Sequence, residues 1–171
     1  MRVLITALVG ISILSAGAAG AQEETDPTRY EQGVGFAAGF YSGAGLSYIF
    51  HFDGPWSVQT AGGIWKTGSS FDYDIGVLIR RTLQETRNTR LYACTGLALF
   101  EERDTYDEFI PESGRTREVT SVNTNWNTGL GLGIQFFLSN RIGVSLDGGF
   151  AFFLNDDKIL FLPQGAIQYH F

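Results

Sequence analysis

The chain has 171 residues, which suits one domain rather than two. Only 18% of the residues are charged, 14% are aromatic and 22 are glycine, whereas charged residues make up about 25% of a typical soluble domain. A single cysteine excludes a disulfide framework and a zinc site built on several thiolates. The net charge of −6 argues against nucleic acid as a partner. Low charge with abundant glycine and aromatic residues is typical of a membrane β-barrel.

The first 21 residues are predicted to be a cleaved signal peptide. Met1 and Arg2 form a short positive start, an apolar run extends to about residue 16, and small residues follow. Ala19 and Ala21 fit the small-residue cleavage rule, which predicts a cut after Ala21. The alternative is an uncleaved membrane anchor, for which the apolar run is short. Residues 22–32 are polar and acidic, so they are predicted to be a short leader before a barrel domain over 33–171.

From residue 33 onward, apolar residues alternate with small or polar ones, which is the periodicity of a β-strand. Trp126, Leu130 and Leu132, for example, alternate with Gly129 and Gly131. The pattern predicts eight strands, at about 33–41, 46–53, 56–67, 71–85, 90–103, 124–138, 141–155 and 158–171. Tight turns at 53–55, 86–89 and 139–140 alternate with connections at 42–45, 68–70, 104–123 and 155–157. An even strand count with short turns at one end predicts an antiparallel up-and-down barrel that spans an outer membrane.

The two faces of these strands decide between a membrane barrel and a soluble one. One face is almost continuously apolar, and the other consists mostly of glycine, alanine, serine, asparagine and glutamine. Small residues suit the narrow interior of an eight-stranded barrel, and the apolar face suits lipid. A soluble lipocalin-like binder, with the apolar face inside, is the alternative.

The last predicted strand strengthens the membrane interpretation. Gln164 is a polar residue that precedes an aromatic pair, Tyr169 and Phe171. This pattern resembles the C-terminal signal of outer-membrane barrels, although Ala166 stands where that family usually has glycine. The strand plan resembles the small barrels of the outer-membrane protein A, protein X and opacity-protein type. The resemblance implies an outer-membrane location, periplasmic termini and surface-exposed longer loops. The partners that it implies are outer-membrane lipids, lipopolysaccharide and the barrel-assembly machinery.

Several polar residues have the parity of the inner face. Asp72, Asp74, Arg80, Gln135 and Asp147 are predicted to form a polar network in the lumen. The network could conduct protons or ions, or it could be a plug of mutually satisfied groups, since buried charges must pair or be hydrated. Eight strands leave little room for a pore, which favours the plug.

Two further features concern the membrane boundary and the surface. Trp56 and Trp126 lie near strand ends on the outer face and are predicted to be interfacial girdle residues. The connection over 104–123 is long and acidic and contains Tyr106, Phe109 and Ile110. It could recognise an extracellular ligand, since loops on rigid scaffolds often carry function, or it could only shield the surface.

No catalytic, cofactor-binding or metal-binding constellation is predicted. His51 shares a face with Ser47, but an acyl-transfer site also needs an orienting acid and an oxyanion site. Cys94 has inward parity and is expected to be an inert core thiol. The predicted role is therefore non-enzymatic, in envelope structure or surface recognition. The alternatives are a narrow ion or small-solute channel and, less favoured, a lipid A-modifying enzyme.

Overall fold

The computed structural model describes residues 30–67, 70–110 and 115–171, which form a single closed ring of strands. The strands are β1 (Gln32–Ala38), β2 (Gly45–His51), β3 (Trp56–Thr67), β4 (Ser70–Glu85), β5 (Thr89–Ile110), β6 (Arg115–Phe137), β7 (Ile142–Phe153) and β8 (Lys158–His170). Each strand pairs antiparallel with the next, and β8 pairs with β1. The predicted eight-stranded antiparallel up-and-down barrel is confirmed. The predicted signal peptide lies outside the described residues.

The two ends of the barrel differ. At the lower end, where β1 begins and β8 ends, short connections at 52–55, 86–88 and 138–141 join the strands, as the turn residues predict. Gln32, which the sequence places in the leader, already belongs to β1, and the carbonyl of Glu31 accepts a 2.7 Å hydrogen bond from the His51 amide. No helix within the described ranges is long and apolar enough to cross a membrane.

The barrel carries its large apolar side chains on the outside. Leu46 is 70% exposed and Ile64 is 72% exposed, whereas the inward Gln59 and Gln135 are each 1% exposed. Monomeric soluble proteins rarely expose an apolar surface of this extent. The outward apolar belt includes Val34, Phe36, Leu46, Tyr48, Ile64, Ile75, Val77, Ile79, Leu97, Leu130, Leu132, Leu146, Phe150, Phe161 and Ile167.

Strands β5 and β6 are much longer than predicted. The sequence places a loop over 104–123, and this prediction is wrong, because β5 continues to Ile110 and β6 starts at Arg115. Pairing of β5 with β4 ends at Asp104, and pairing of β6 with β7 begins at Asn127. Residues 105–110 and 115–120 therefore form a two-stranded ribbon, called here the β5–β6 ribbon, that projects from the upper end. Residues 121–126 of β6, at its base, pair with β5 but have no strand on their other side among the described residues. The threonines and valines of both segments favour strand over loop, a signal that the surrounding charges hide.

The first connection at the upper end also differs from its prediction. The sequence predicts that the first strand extends to about residue 41 and that a connection follows over 42–45, but β1 ends at Ala38, and residues 41–43 are buried inside the barrel. Tyr41 is 0% exposed and Ser42 is 3% exposed. We call residues 39–44 the β1–β2 strap. Its burial makes the lumen at this level a packed core.

Candidate functional site

Tyr41 of the strap is the centre of the upper lumen. It packs against Leu78, Tyr92, Cys94 and Ala151, and its hydroxyl lies 3.9 Å from the Cys94 Sγ. Two glycines that face Tyr41, Gly131 of β6 and Gly149 of β7, make this possible. A Cβ on Gly131 would lie 2.8 Å from the Tyr41 hydroxyl, and one on Gly149 would lie 2.5 Å from it. The glycines at these positions therefore provide the space that an inserted tyrosine needs.

Hydrogen bonds from three directions hold the strap. The Ser42 hydroxyl donates to Gln164 Oε1 at 3.1 Å, and Asn127 Nδ2 donates to the Phe40 carbonyl at 3.0 Å. The Ala44 amide donates to Asp74 Oδ1 at 2.7 Å. Gly43 has a φ of 80°, a conformation that glycine adopts at little cost. Asp74 and Gln164 therefore position the strap.

A second layer lies below the strap and centres on Arg80. The Arg80 guanidinium donates through Nη2 to Gln59 Oε1 and, at 3.4 Å, to the Ser145 hydroxyl. It also lies 4.6 Å from the centre of the Tyr92 ring. The Tyr92 hydroxyl in turn donates to Asp147 Oδ1. Gln59, Tyr92 and Ser145 are each at most 2% exposed, so this layer is as buried as a protein core.

The lower end of the lumen holds two histidines and an ion pair. Arg90 Nη2 lies 2.9 Å from Glu85 Oε1, and Arg90 Nη1 lies 3.0 Å from His51 Nδ1. The rings of His51 and His170 lie 5.8 Å apart, and His170 Nε2 lies 3.2 Å from Gln135 Nε2. This cluster closes the lumen at the end opposite the strap.

The predicted lumen network is thus divided among separate layers. Arg80 and Asp147 share a layer because Tyr92 connects them, whereas Asp74 binds the strap and Gln135 contacts the lower cluster. Asp72 is half-buried near the upper end, and its Oδ1 has no hydrogen-bond partner among the described residues. Sequence reasoning missed Tyr41, although a tyrosine between two nearby glycines is a weak signal of tight local packing.

The outer face carries the predicted girdle residues at two levels. Trp56 begins β3 at the lower end, is 39% exposed and lies 5.6 Å from the Arg81 guanidinium. Trp126 is 43% exposed and lies at the upper rim, where its carbonyl accepts a 3.0 Å hydrogen bond from the amide of Leu154, just beyond β7. It was predicted near a strand end, but β6 continues past it into the ribbon.

The residues predicted as an assembly signal lie in or directly after β8, the strand that closes the barrel by pairing with β1. The Tyr169 hydroxyl accepts a 2.8 Å hydrogen bond from Arg141 Nη1, and the Phe171 amide donates to the Gln32 carbonyl at 2.9 Å. Both side chains face outward, whereas Gln164 faces the lumen. The aromatic pair therefore extends the apolar belt to the lower end.

The ribbon presents its surface above the barrel. Tyr106 pairs with Val119 and is 53% exposed. The backbones of Phe109 and Ile110 belong to β5, and their side chains lie outside the described part of the structure. At the base of the ribbon, the Tyr73 hydroxyl donates to Glu101 Oε2 at 2.6 Å. This bond, together with Arg103, lowers the pKa of Glu101.

The described residues do not assemble a familiar catalytic or metal centre. No group of three or more histidine, cysteine, aspartate or glutamate side chains among them could hold a metal ion. The Ser47 hydroxyl has no hydrogen-bond partner within the described ranges, so it is not bonded to His51. Cys94 is 3% exposed, and burial in this core gives its thiol no access to solvent.

Comparison with known proteins adds a distant structural likeness. No protein-family model matches the chain, and no curated protein matches it. Among solved structures, it is similar to Ail, the attachment invasion locus protein of Yersinia pestis, which was solved in complex with the heparin analogue sucrose octasulfate. The two chains are 12% identical with a TM-score of 0.34, and the match covers 82% of this chain and 94% of Ail.

Proposed function

We propose that this protein is exported and spans the outer membrane of a Gram-negative-type bacterium. The observation that supports this location is a closed barrel with its large apolar side chains outside and its polar side chains inside. Closure satisfies the backbone donors and acceptors, which lipid cannot do. A soluble lipocalin-like binder would need the reverse arrangement of faces.

The height of the apolar belt agrees with a bilayer. From Trp126 to Phe136, β6 advances ten residues. At about 3.3 Å per residue and a tilt of about 40°, this is a rise of roughly 25 Å, close to the apolar band of outer-membrane barrels. The proposed export signal is residues 1–21, and the proposed partners are membrane lipids, lipopolysaccharide and the assembly machinery. The strap and the ribbon would then lie on the extracellular side.

Electrophoretic heat-modifiability in a purified outer-membrane fraction tests this location. A folded barrel should migrate differently before and after boiling and should remain with that fraction. If the protein is found in the periplasm and shows no mobility shift, the proposal is contradicted and the lipocalin-like binder is favoured.

We further propose a non-enzymatic role in surface recognition, carried by the β5–β6 ribbon. Over residues 115–123, β6 has no strand on its outer side among the described residues, so the backbone donors and acceptors of that edge are available for pairing. The carbonyls of Thr124 and Trp126 already accept hydrogen bonds from the Asn155 side chain and the Leu154 amide. An open strand edge can add a strand from a partner. Tyr106 and Val122, each 53% exposed, offer apolar contacts beside it. The ribbon is also acidic, with Glu102, Asp104 and Glu118 among its residues and those at its base.

Shortening the ribbon tests this role. Residues 106–119 would be replaced by Asn-Gly, which favours a tight hairpin, and host-cell binding by bacteria that display each protein would be measured. The shortened barrel should stay heat-modifiable and lose binding. A Tyr48→Ala variant, altered on the lipid-facing surface, is the control and should bind normally. Binding by the shortened barrel would leave shielding as the role of the ribbon.

Conduction is the second candidate, and the packing of the lumen disfavours it. The strap, the Arg80 layer and the lower cluster each fill the narrow interior in turn. We propose that the protein does not conduct. Single-channel steps from the purified protein in a planar bilayer would contradict this. A change in lipid A mass on expression would likewise contradict the proposed absence of enzymatic activity.

A further inference from the structure

Arg80 is buried without a carboxylate partner. It is 3% exposed, and its Nε and Nη1 have no hydrogen-bond partner among the described residues. Its Nη2 contacts only the neutral groups of Gln59 and Ser145. Burying an ion is costly unless charge and hydrogen bonds compensate for it. The Arg80 guanidinium therefore has two donor nitrogens without a partner among the described residues.

Arg90 shows how the same barrel treats another buried arginine. It is 9% exposed, and Glu85 lies 2.9 Å from its guanidinium. Asp147, the carboxylate in the layer of Arg80, forms no ion pair with Arg80 within 4.0 Å and instead accepts the Tyr92 hydrogen bond. The contrast shows that Arg80 lacks the direct compensation that Arg90 has.

Other unused polar groups surround the same point. Gln168 is 1% exposed and both its Nε2 and its Oε1 lack partners in the described structure, as does the hydroxyl of Ser47. The strand register places both groups close to the residues that Arg80 contacts. Gln168 is paired with Gly143, two residues from the Ser145 that Arg80 contacts, and Ser47 is paired with Ala61, two residues from the contacted Gln59.

A glycine of β1 lies between these two groups in the strand register. Gly35 of β1 pairs with Ser47 on one side and with Gln168 on the other. From β4, the Arg80 guanidinium reaches Gln59 of β3 and Ser145 of β7. Ser47 of β2 and Gln168 of β8 therefore lie on the part of the inner wall between the two strands that Arg80 contacts, and we call Arg80, Ser47 and Gln168 the Arg80 cluster.

We propose that the Arg80 cluster binds a small monovalent inorganic anion of the halide class. The Arg80 Nε and Nη1 donate to the anion, and Gln168 Nε2 and the Ser47 hydroxyl complete its shell. Charge-assisted hydrogen bonds of this kind are the strong ones. The anion supplies next to Arg80 the negative charge that Glu85 supplies next to Arg90. The inference does not depend on surface recognition or on the membrane in which the barrel resides.

Crystals grown in sodium bromide test the proposal by anomalous diffraction. A bromide peak within hydrogen-bond distance of Arg80 is expected. Arg80→Gln should abolish the peak, whereas Arg141→Gln, which removes the same charge outside the lumen, should keep it. Ordered water alone at Arg80, with no anomalous peak in the unmodified protein, would overturn the inference.

A solution measurement covers the case in which Arg80→Gln does not fold. The urea midpoint is measured at constant ionic strength while bromide replaces gluconate, since an ion that binds only the folded state raises stability. The midpoint should rise with bromide. Gln168→Leu keeps the Arg80 charge but removes one donor, and it should require at least tenfold more bromide for the same rise. An equal response in Gln168→Leu and the unmodified barrel would exclude this site.

Discussion

Replacing Leu132 by arginine tests which face of the barrel meets lipid. Leu132 is 59% exposed on the outer face of β6, six residues below Trp126 and four above Phe136. At the rise and tilt used above, it lies roughly 15 Å below the upper girdle, near the middle of a band about 25 Å tall. An arginine at the midplane costs roughly 2–4 kcal/mol. Folding in lipid should weaken by about 30-fold to several hundred-fold, since 1.4 kcal/mol is tenfold.

A second substitution on the same strand provides the control. Val122 has the same outward parity and is 53% exposed, but it lies ten residues above Leu132, at the base of the ribbon. Val122→Arg should cost roughly 0–1 kcal/mol, as expected outside the apolar band. Urea unfolding in lipid vesicles, followed by electrophoretic mobility, measures both changes. Equal costs would refute the placement of the belt, because only burial in hydrocarbon distinguishes the two sites.

Three other predictions concern the lumen and the rim. Tyr41→Ala should lower the free energy of unfolding by about 3–5 kcal/mol, the usual cost of emptying a buried aromatic site, while Tyr48→Ala on the lipid face should cost much less; urea unfolding measures both. Cys94 should react with a thiol reagent only after unfolding, because it is 3% exposed, and labelling of the folded barrel would contradict its burial. Tyr73→Phe should raise the pKa of Glu101 toward its ordinary value, since the Tyr73 hydroxyl is the main cause of its lowering. The stabilisation from the Tyr73–Glu101 hydrogen bond is complete above the ordinary pKa of a glutamate and is lost as the pH falls through the lowered pKa of Glu101. A carboxyl NMR titration of Glu101 that is identical in both proteins would contradict this prediction.

Strand number, antiparallel order and the direction of each face could be predicted because they depend on local periodicity. Leu130 and Leu132 face outward and Gln135 faces inward as the alternation requires. Successive side chains of a strand point to opposite faces wherever the strand lies. The boundaries of β5 and β6 could not be predicted in the same way. Charged residues within 104–123 suggest a loop, but pairing between two strands can continue into solvent without burying either face.

The barrel can be predicted from the amino-acid sequence alone, because a period of two and short turns are properties of neighbouring residues. The partners inside the lumen depend on packing between residues that are far apart in the chain. Tyr41 enters the barrel because Gly131 and Gly149 leave space on distant strands. Asp147 is satisfied by Tyr92 while Arg80 lacks a carboxylate. Parity places each of these groups inside, but only closure of the ring determines which of them meet.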